Sequence, residues 1–300
     1  MRTAVVIEPY HLRVPGSVVD LNSFHQWVDS DEFPSNGRID YLQGEVWVDM
    51  ETDTERLSAT GRGKRLVIPK RPGSLNGKAM CAVIIEADNL CVPTWVTDLA
   101  SFREWADSED FPEYGRICYL EGEVWIDMSK EQLYTHNKLK TRYYIVLGTL
   151  VDAEKLGDFF SDGVSVVHPD ADLSAVPEAV FLSNETLASG RVRLIEGARR
   201  GLVEIEGSAD MVLEVVSDSS VRKDTMRLRK LYWAAGVREY WLVDAREQPL
   251  SFEILRHTAK GFVSVRNQGG WLKSAVFGKS FRLTQQTDAL GHPAFTLEVR

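Results

Sequence analysis

SADMVLEVVSDSS, residues 208–220, places a carboxylate in the middle of an apolar strand, at Glu214. An unpaired charge in such a strand costs several kcal/mol or forces its own protonation. Strand alternation offers one resolution, with Glu214 turned to solvent while Leu213 and Val215 face inward. Met211, Val212, Leu213, Val215 and Val216 nevertheless leave neither face polar, and a carboxylate kept there is suited to binding a cation. Next comes KDTMRLRKLYWAAGV, where Leu228, Leu231, Tyr232 and Ala235 share one face of a helix predicted over about 221–235. VREYWLVD, residues 237–244, then reads as a buried strand.

Upstream, Leu139, Tyr143, Leu147 and Leu150 form a helical stripe across 131–151, and His136 lies on the same face. Short apolar runs at 163–167, 178–182, 202–206 and 210–216 read as strands, with further strands expected at 250–256, 261–266, 276–283 and 295–299. Helices and strands mix without strict alternation, which predicts an α/β or α+β sheet with helices on its faces.

The N-terminal third is repetitive. Residues 4–50 return at 82–128, shifted by 78, with 28 of 47 positions identical. In each copy a short amphipathic helix (Asp98 as N-cap, then Phe102, Trp105 and Ala106) precedes a hairpin turning at Glu121-Gly122. Two copies are too few for a solenoid, so a partial tandem duplication is the simpler reading. Residues 51–78 are polar and rich in breakers, as in a linker. The expected organisation is a partial duplicate plus linker at 1–79 and one larger domain at 80–300. The duplicate stops before His136, Glu178 and Glu214, so it is expected to be a structural piece, packed on the domain or swapped, and not a second site.

Composition narrows the function classes. The net charge is −9 with pI near 5.3, against broad sequence-independent coating of nucleic acid, though a local basic channel remains compatible. Cys81, Cys91 and Cys118 show neither a zinc spacing nor a disulfide framework. No apolar run approaches the roughly 20 residues of a membrane span, and nothing at the N-terminus resembles a secretory signal. A cytoplasmic, soluble protein without membrane contact is expected.

The stretch from MVLEVVSDSS through KDTMRLRKLYWAAGV to REYWLVD resembles the putative restriction endonuclease family of the PD-(D/E)XK nuclease superfamily. The likeness extends upstream through YLEGEVWIDMS, the helical His136 and PEAVFLS, covering about 98–245. It implies a restriction-endonuclease-like mixed central sheet flanked by helices, and phosphodiester hydrolysis on DNA with Mg²⁺ or Mn²⁺. Glu214 matches the acidic position of the motif. Glu178 falls where the family carries the aspartate of its Pro-Asp pair, one methylene longer; a literal Pro169-Asp170 is followed by ADLSAVP and not by a strand. The resemblance thus makes Glu178 and Glu214 the expected metal ligands, and His136 an expected catalytic residue beside them, because the family often has a histidine at the start of this helix, near the site.

The lysine departs from the pattern. Val216 stands two residues after Glu214, and Leu228 occupies the helix position four before the tyrosine where the family carries lysine. Lys223 and Lys230 are the available replacements, and Lys223, just past the strand, is the expected catalytic lysine. The run Arg222, Lys223, Arg227, Arg229 and Lys230 has only Asp224 against it, which suits either a solvated face or phosphate contact. The resemblance therefore implies a metal-dependent endonuclease. The departures leave a second reading, a degenerate nuclease-fold module that binds nucleic acid or protein. A homodimer is a further expectation if the duplicate docks onto a neighbouring chain.

Overall fold

The structure, a computed structural model, describes residues 3–8, 10, 12–34, 38–42, 44–49, 81–85, 90–198 and 201–300. The linker expected at 51–78 lies outside the described residues. The chain divides into two compact units, Met1–Gly115 with Gly122–Met128, and Arg116–Glu121 with Ser129–Arg300.

The first unit holds β1 (Ala4–Glu8), β2 (Leu12–Val14), β3 (Arg38–Leu42), β4 (Glu45–Asp49), β5 (Cys81–Ile85) and β6 (Leu90–Pro93). After β7 (Arg116–Leu120), which belongs to the second unit, β8 (Glu123–Asp127) completes it. Helices α1 (Leu21–Val28) and α2 (Leu99–Ala106) start from the same capping box. Asp20 and Asp98 each accept from the backbone N–H of the serine three residues on at 2.8 Å, and that serine hydroxyl accepts from the aspartate N–H at 3.0 Å. Phe102 and Trp105 are buried edge-on against Phe111, and Phe24, Trp27 and Phe33 repeat that cluster in the first copy. Cys91 is disulfide-bonded and Cys118 is free and buried. The cysteine spacing carried no sign of that bond.

The second unit is built on a mixed sheet. In chain order its strands are β9 (Gly157–Ser161), β10 (Ser165–His168), β11 (Leu173–Ala175), β12 (Ala179–Ser183), β13 (Val192–Glu196), β14 (Leu202–Gly207) and β15 (Met211–Val215). They continue as β16 (Glu239–Asp244), β17 (Ser251–Thr258), β18 (Gly261–Ser264), β19 (Leu272–Lys273), β20 (Ser280–Thr287) and β21 (Pro293–Val299). The central sheet runs β18-β17-β16-β15-β12-β9. Within it β15 and β16 are parallel and the other neighbours antiparallel. The parallel pair needs a crossover, supplied by a π-helical turn (Lys223–Leu228) running into a helix (Arg229–Ala234). A second sheet orders β13-β14-β10-β11-β7, and β19-β20-β21 form a third.

Helix α3 (Leu139–Glu154), itself entered through a π-helical turn (Leu133–Lys138), presents Leu139, Tyr143, Leu147 and Val151 to one face of the central sheet. They pack with Ala179, Phe181, Met211, Leu213, Val215, Trp241 and Val243, all almost fully buried. α4 (Asn184–Ser189) follows β12, and α5 is the helix Arg229–Ala234. This is an α/β fold with a mixed central sheet and helices against it. The expected strands and both long helical stripes are present. The short strands β9, β11, β13 and β19 were not legible, being two to five residues long without a sustained alternation.

β9 approaches β12 so closely that Gly157 has φ of 149°, and a Cβ there would stand 2.0 Å from the Leu182 carbonyl oxygen. The obstacle is backbone in a paired strand and cannot swing aside. Gly157→Ala is expected to cost about 3 kcal/mol, read as a lower urea midpoint of the full chain. An unchanged midpoint would show that the two strands do not meet this closely.

Candidate metal centre

Four elements of the second unit bring charged side chains together. Glu178 precedes β12, and its N–H donates to the Leu213 carbonyl at 3.0 Å, so it stands beside the end of β15 that carries Glu214. Glu131 and His136 come from the entry to α3, Lys140 from its first turn, and Arg116 from the start of β7. The π-helical turn matters because this rare geometry concentrates at functional sites. A second π-helical turn carries Lys223 and Asp224.

Glu178 has a side chain only 5% exposed and is held on all sides by donors. Its Oε1 receives His136 Nε2 at 3.2 Å and Arg116 at 3.2 Å, and its Oε2 receives Lys140 Nζ at 2.9 Å. Burial pushes this carboxyl up, but the His136 hydrogen bond and the charges of Arg116, His136 and Lys140 outweigh it and hold the group down at about 2. Glu131 lies 2.7 Å from His136 Nδ1, accepts from Asn137 at 2.7 Å, and also pairs with Lys140. Burial opposes its ionisation too, and Lys140, Asn137 and His136 together depress it to about 2. Lys140 also meets Asp162 at 2.7 Å. Burial would neutralise Lys140, yet Glu178, Asp162 and Glu131 keep it charged, with its pKa raised.

The ligand atoms of Glu131, His136 and Glu178 all lie within 4.8 Å of one another, a set of two carboxylates and an imidazole that could hold a divalent ion. Hard oxygen ligands suit Mg²⁺ and Mn²⁺, and the imidazole shifts the preference toward Mn²⁺ or another transition ion. Here the Lys140 ammonium supplies positive charge to the same carboxylates.

Glu214 lies outside that set and in a different electrostatic state. It is 3% exposed and accepts from Tyr232 Oη at 2.8 Å. Burial, reinforced by Asp224 and Glu178 and only partly offset by Lys223 and Tyr232, raises its pKa well above the usual carboxylate range. Asp224 is raised by burial as well. Lys223 is buried, not solvated at a helix start, and sits 3.4 Å from Asp224. Burial works against its charge, but Asp224 and Glu214 raise its pKa and keep it an ammonium.

The structure thus places all four sequence-selected residues in one neighbourhood but divides them. His136 and Glu178 share a cluster with Glu131, while Glu214 and Lys223 share another with Asp224. Asp170, the alternative to Glu178, is exposed on a single 3-10 turn (Pro169–Ala171). Of the basic run, Arg227 meets Glu121 at 3.2 Å and Lys230 pairs with the same carboxylate. The acidic partner missing from the local sequence comes from a turn more than 100 residues away, and Lys230 points to it rather than to Glu214. Sequence reasoning missed Glu131, Lys140 and Arg116. Lys140 carried a signal, since i+4 from His136 puts it on the same helix face.

Residues 99–285 match the sequence family described as Uma2, putative restriction endonuclease. The chain belongs to that family. Membership gives it a nuclease-type function and extends downstream of the stretch whose motifs carried the resemblance. Among solved structures, a putative nuclease belonging to DUF820 from Anabaena variabilis ATCC 29413 is similar at 17% identity, covering 60% of this chain and 90% of that one with a TM-score of 0.45. No curated protein matches. Among the described residues no helix is long and apolar enough to cross a membrane.

The ion-pair cage has a pH signature. A folded pKa of about 2 against an ordinary 4.5 means that Glu178 stabilises the fold fully above about pH 5 and loses that contribution as pH falls toward 2. The shift corresponds to about 3 kcal/mol. Glu178→Gln is expected to flatten the loss of stability between pH 5 and 2 in urea titrations, and a slope equal to wild type would contradict the cage. Lys140→Met removes one cation from a buried cluster and is expected to cost about 3 kcal/mol in chelator, with Mn²⁺ recovering part of the loss in thermal melts.

Proposed function

We propose that this chain is a divalent-metal-dependent endonuclease that hydrolyses DNA phosphodiester bonds. The observation supporting it most directly is the convergence of Glu131, His136 and Glu178, two carboxylates kept ionised beside an imidazole, in a chain of a nuclease family. Glu178 and His136, joined by Glu131, would hold Mg²⁺ or Mn²⁺, with Glu214 as the further carboxylate at the neighbouring strand end. A bound ion supplies an activated water and neutralises charge developing on phosphorus. Glu214, raised in pKa without an ion, would ionise in the presence of added positive charge, so metal binding would release a proton. Lys223 contributes as a fixed positive charge and not as a base, because its neighbours keep it protonated. Arg116 neutralises Glu178 from the β7 side.

The expected outcome is Mn²⁺- or Mg²⁺-dependent nicking or cleavage of DNA that falls at least a hundredfold in Glu178→Ala and Glu214→Ala, with folding checked by circular dichroism. No divalent-dependent cleavage of duplex, single-stranded or branched DNA by wild type would remove the enzymatic reading.

One observation favours the rival. Lys140 already compensates Glu178 and Glu131, and Val216 and Leu228 stand where the family pattern has lysine. A module that keeps this ion pair as structure would bind nucleic acid or protein without metal. Calorimetric titration separates the two. Measurable Mn²⁺ binding, weakened in His136→Ala, supports the enzyme, and no heat at millimolar Mn²⁺ supports the degenerate module.

A further inference from the structure

The first unit contains the first sequence repeat and all of the second except residues 116–121, and their strands are paired crosswise. β1, from the first copy, lies parallel to β8 of the second, with Val5↔Val124, Val6↔Trp125 and Ile7↔Ile126. β5, from the second copy, lies parallel to β4 of the first, with Val83↔Val46, Ile84↔Trp47 and Ile85↔Val48. Shifted by the repeat length of 78, these are the same three pairs. The accompanying antiparallel strands agree as well. β2 pairs β1 through Val14, Arg13 and Leu12, and β6 pairs β5 through the corresponding Val92, Cys91 and Leu90. The helix of the first copy stays with its own hairpin, since Phe24 packs on Tyr41 and the Tyr41 hydroxyl donates to the Val19 carbonyl at 3.2 Å.

We infer that the two repeats are a reciprocally strand-exchanged pair closed within one chain, in which each copy's N-terminal strand pair covers the edge of the other copy's hairpin. The partner that this surface recognises is a second copy of the same segment, and the duplication supplies that copy in cis. An exchange in which the same contacts are made twice is the isologous logic of a swapped dimer. The 31 residues between β4 and β5 make the second event intramolecular, so the effective concentration is high and no second chain is required. Covering both edges also removes two open templates for aggregation. Val5 and Ile7 are 1% exposed and Val46 and Val48 0%, so at these positions neither hairpin keeps its edge in water.

Contacts alone would be the same if each copy closed on itself, and one side-chain pair tells the arrangements apart. Arg13 of β2 reaches Glu123 of β8 at 2.8 Å. In a self-closed copy the equivalent acid is Glu45 of β4. Arg13→Lys keeps the charge and gives a primary amine that a zero-length carbodiimide couples to whichever carboxylate it touches. The experiment uses the full chain, as a mixture of isotopically light and heavy protein, with the joined peptides identified by mass spectrometry. The expected product joins Lys at 13 to Glu123, at least tenfold above the 13–45 product, with both peptides of one isotope. Predominant 13–45 coupling means self-closed copies, mixed-isotope 13–123 peptides mean exchange between chains, and absence of a 13–123 product means that the strands are not paired crosswise. Each of these three results overturns the inference. Light scattering on unmodified full-length protein gives an independent readout: one chain is expected in solution, and a dimer that dissociates when residues 1–79 are removed would sink it.

Discussion

A carboxylate with one-twentieth of its surface in water cannot stay ionised without help, and Glu178 is ionised. Everything around it follows from that constraint. His136 and Lys140 arrive from α3 and its π-helical entry, and Arg116 from β7, because no single element presents three donors in the directions a carboxylate needs. Glu131 and Asp162 in turn keep Lys140 charged in a place where burial alone would neutralise it. The π-helical entry to α3 places His136 and Lys140 one turn apart over the same two acids. A buried network of this kind adds little net stability relative to an apolar replacement, and it is sharply intolerant of losing one member.

Glu214 shows the opposite solution to the same burden. With burial, Asp224 and Glu178 against its charge, and only Lys223 and one tyrosine hydroxyl in support, its neutral form is favoured. Two carboxylates on neighbouring strand ends thus hold different protonation states, set by what surrounds them and not by their own chemistry. Lys223 and Asp224, on the π-helical turn of the crossover, are fixed beside Glu214 by the parallel β15–β16 pairing, which leaves the intervening chain one side on which to return.

In the first unit the organising force is the exposed edge of a strand. Each hairpin ends in an apolar strand, EVWVD or EVWID, whose free edge would be a template for association. The AVVIE and CAVII strands cover those edges in parallel.

Much of this was legible in the order of residues. Period-2 and period-3.6 patterns located β12, β15 and β16 and the helices around His136 and Tyr232, because burial on one face imposes those periods wherever the element packs. Asp98 announced its helix through a local capping geometry, and the 78-residue shift announced the repeat. Glu214 and His136 stood out because a polar group amid apolar neighbours is visible without coordinates. Tertiary structure alone decided who answers whom. Glu131, Lys140 and Arg116 surround Glu178 from 38 to 62 positions away, and Glu121 reaches Lys230 across 109. Such pairs leave no spacing rule, since a charge finds its partner through space and the chain between them is free to vary. For the same reason the repeat revealed two equivalent copies but not their crosswise pairing. Identical strands offer identical contacts to either hairpin, and only the path of the chain in three dimensions chooses between them.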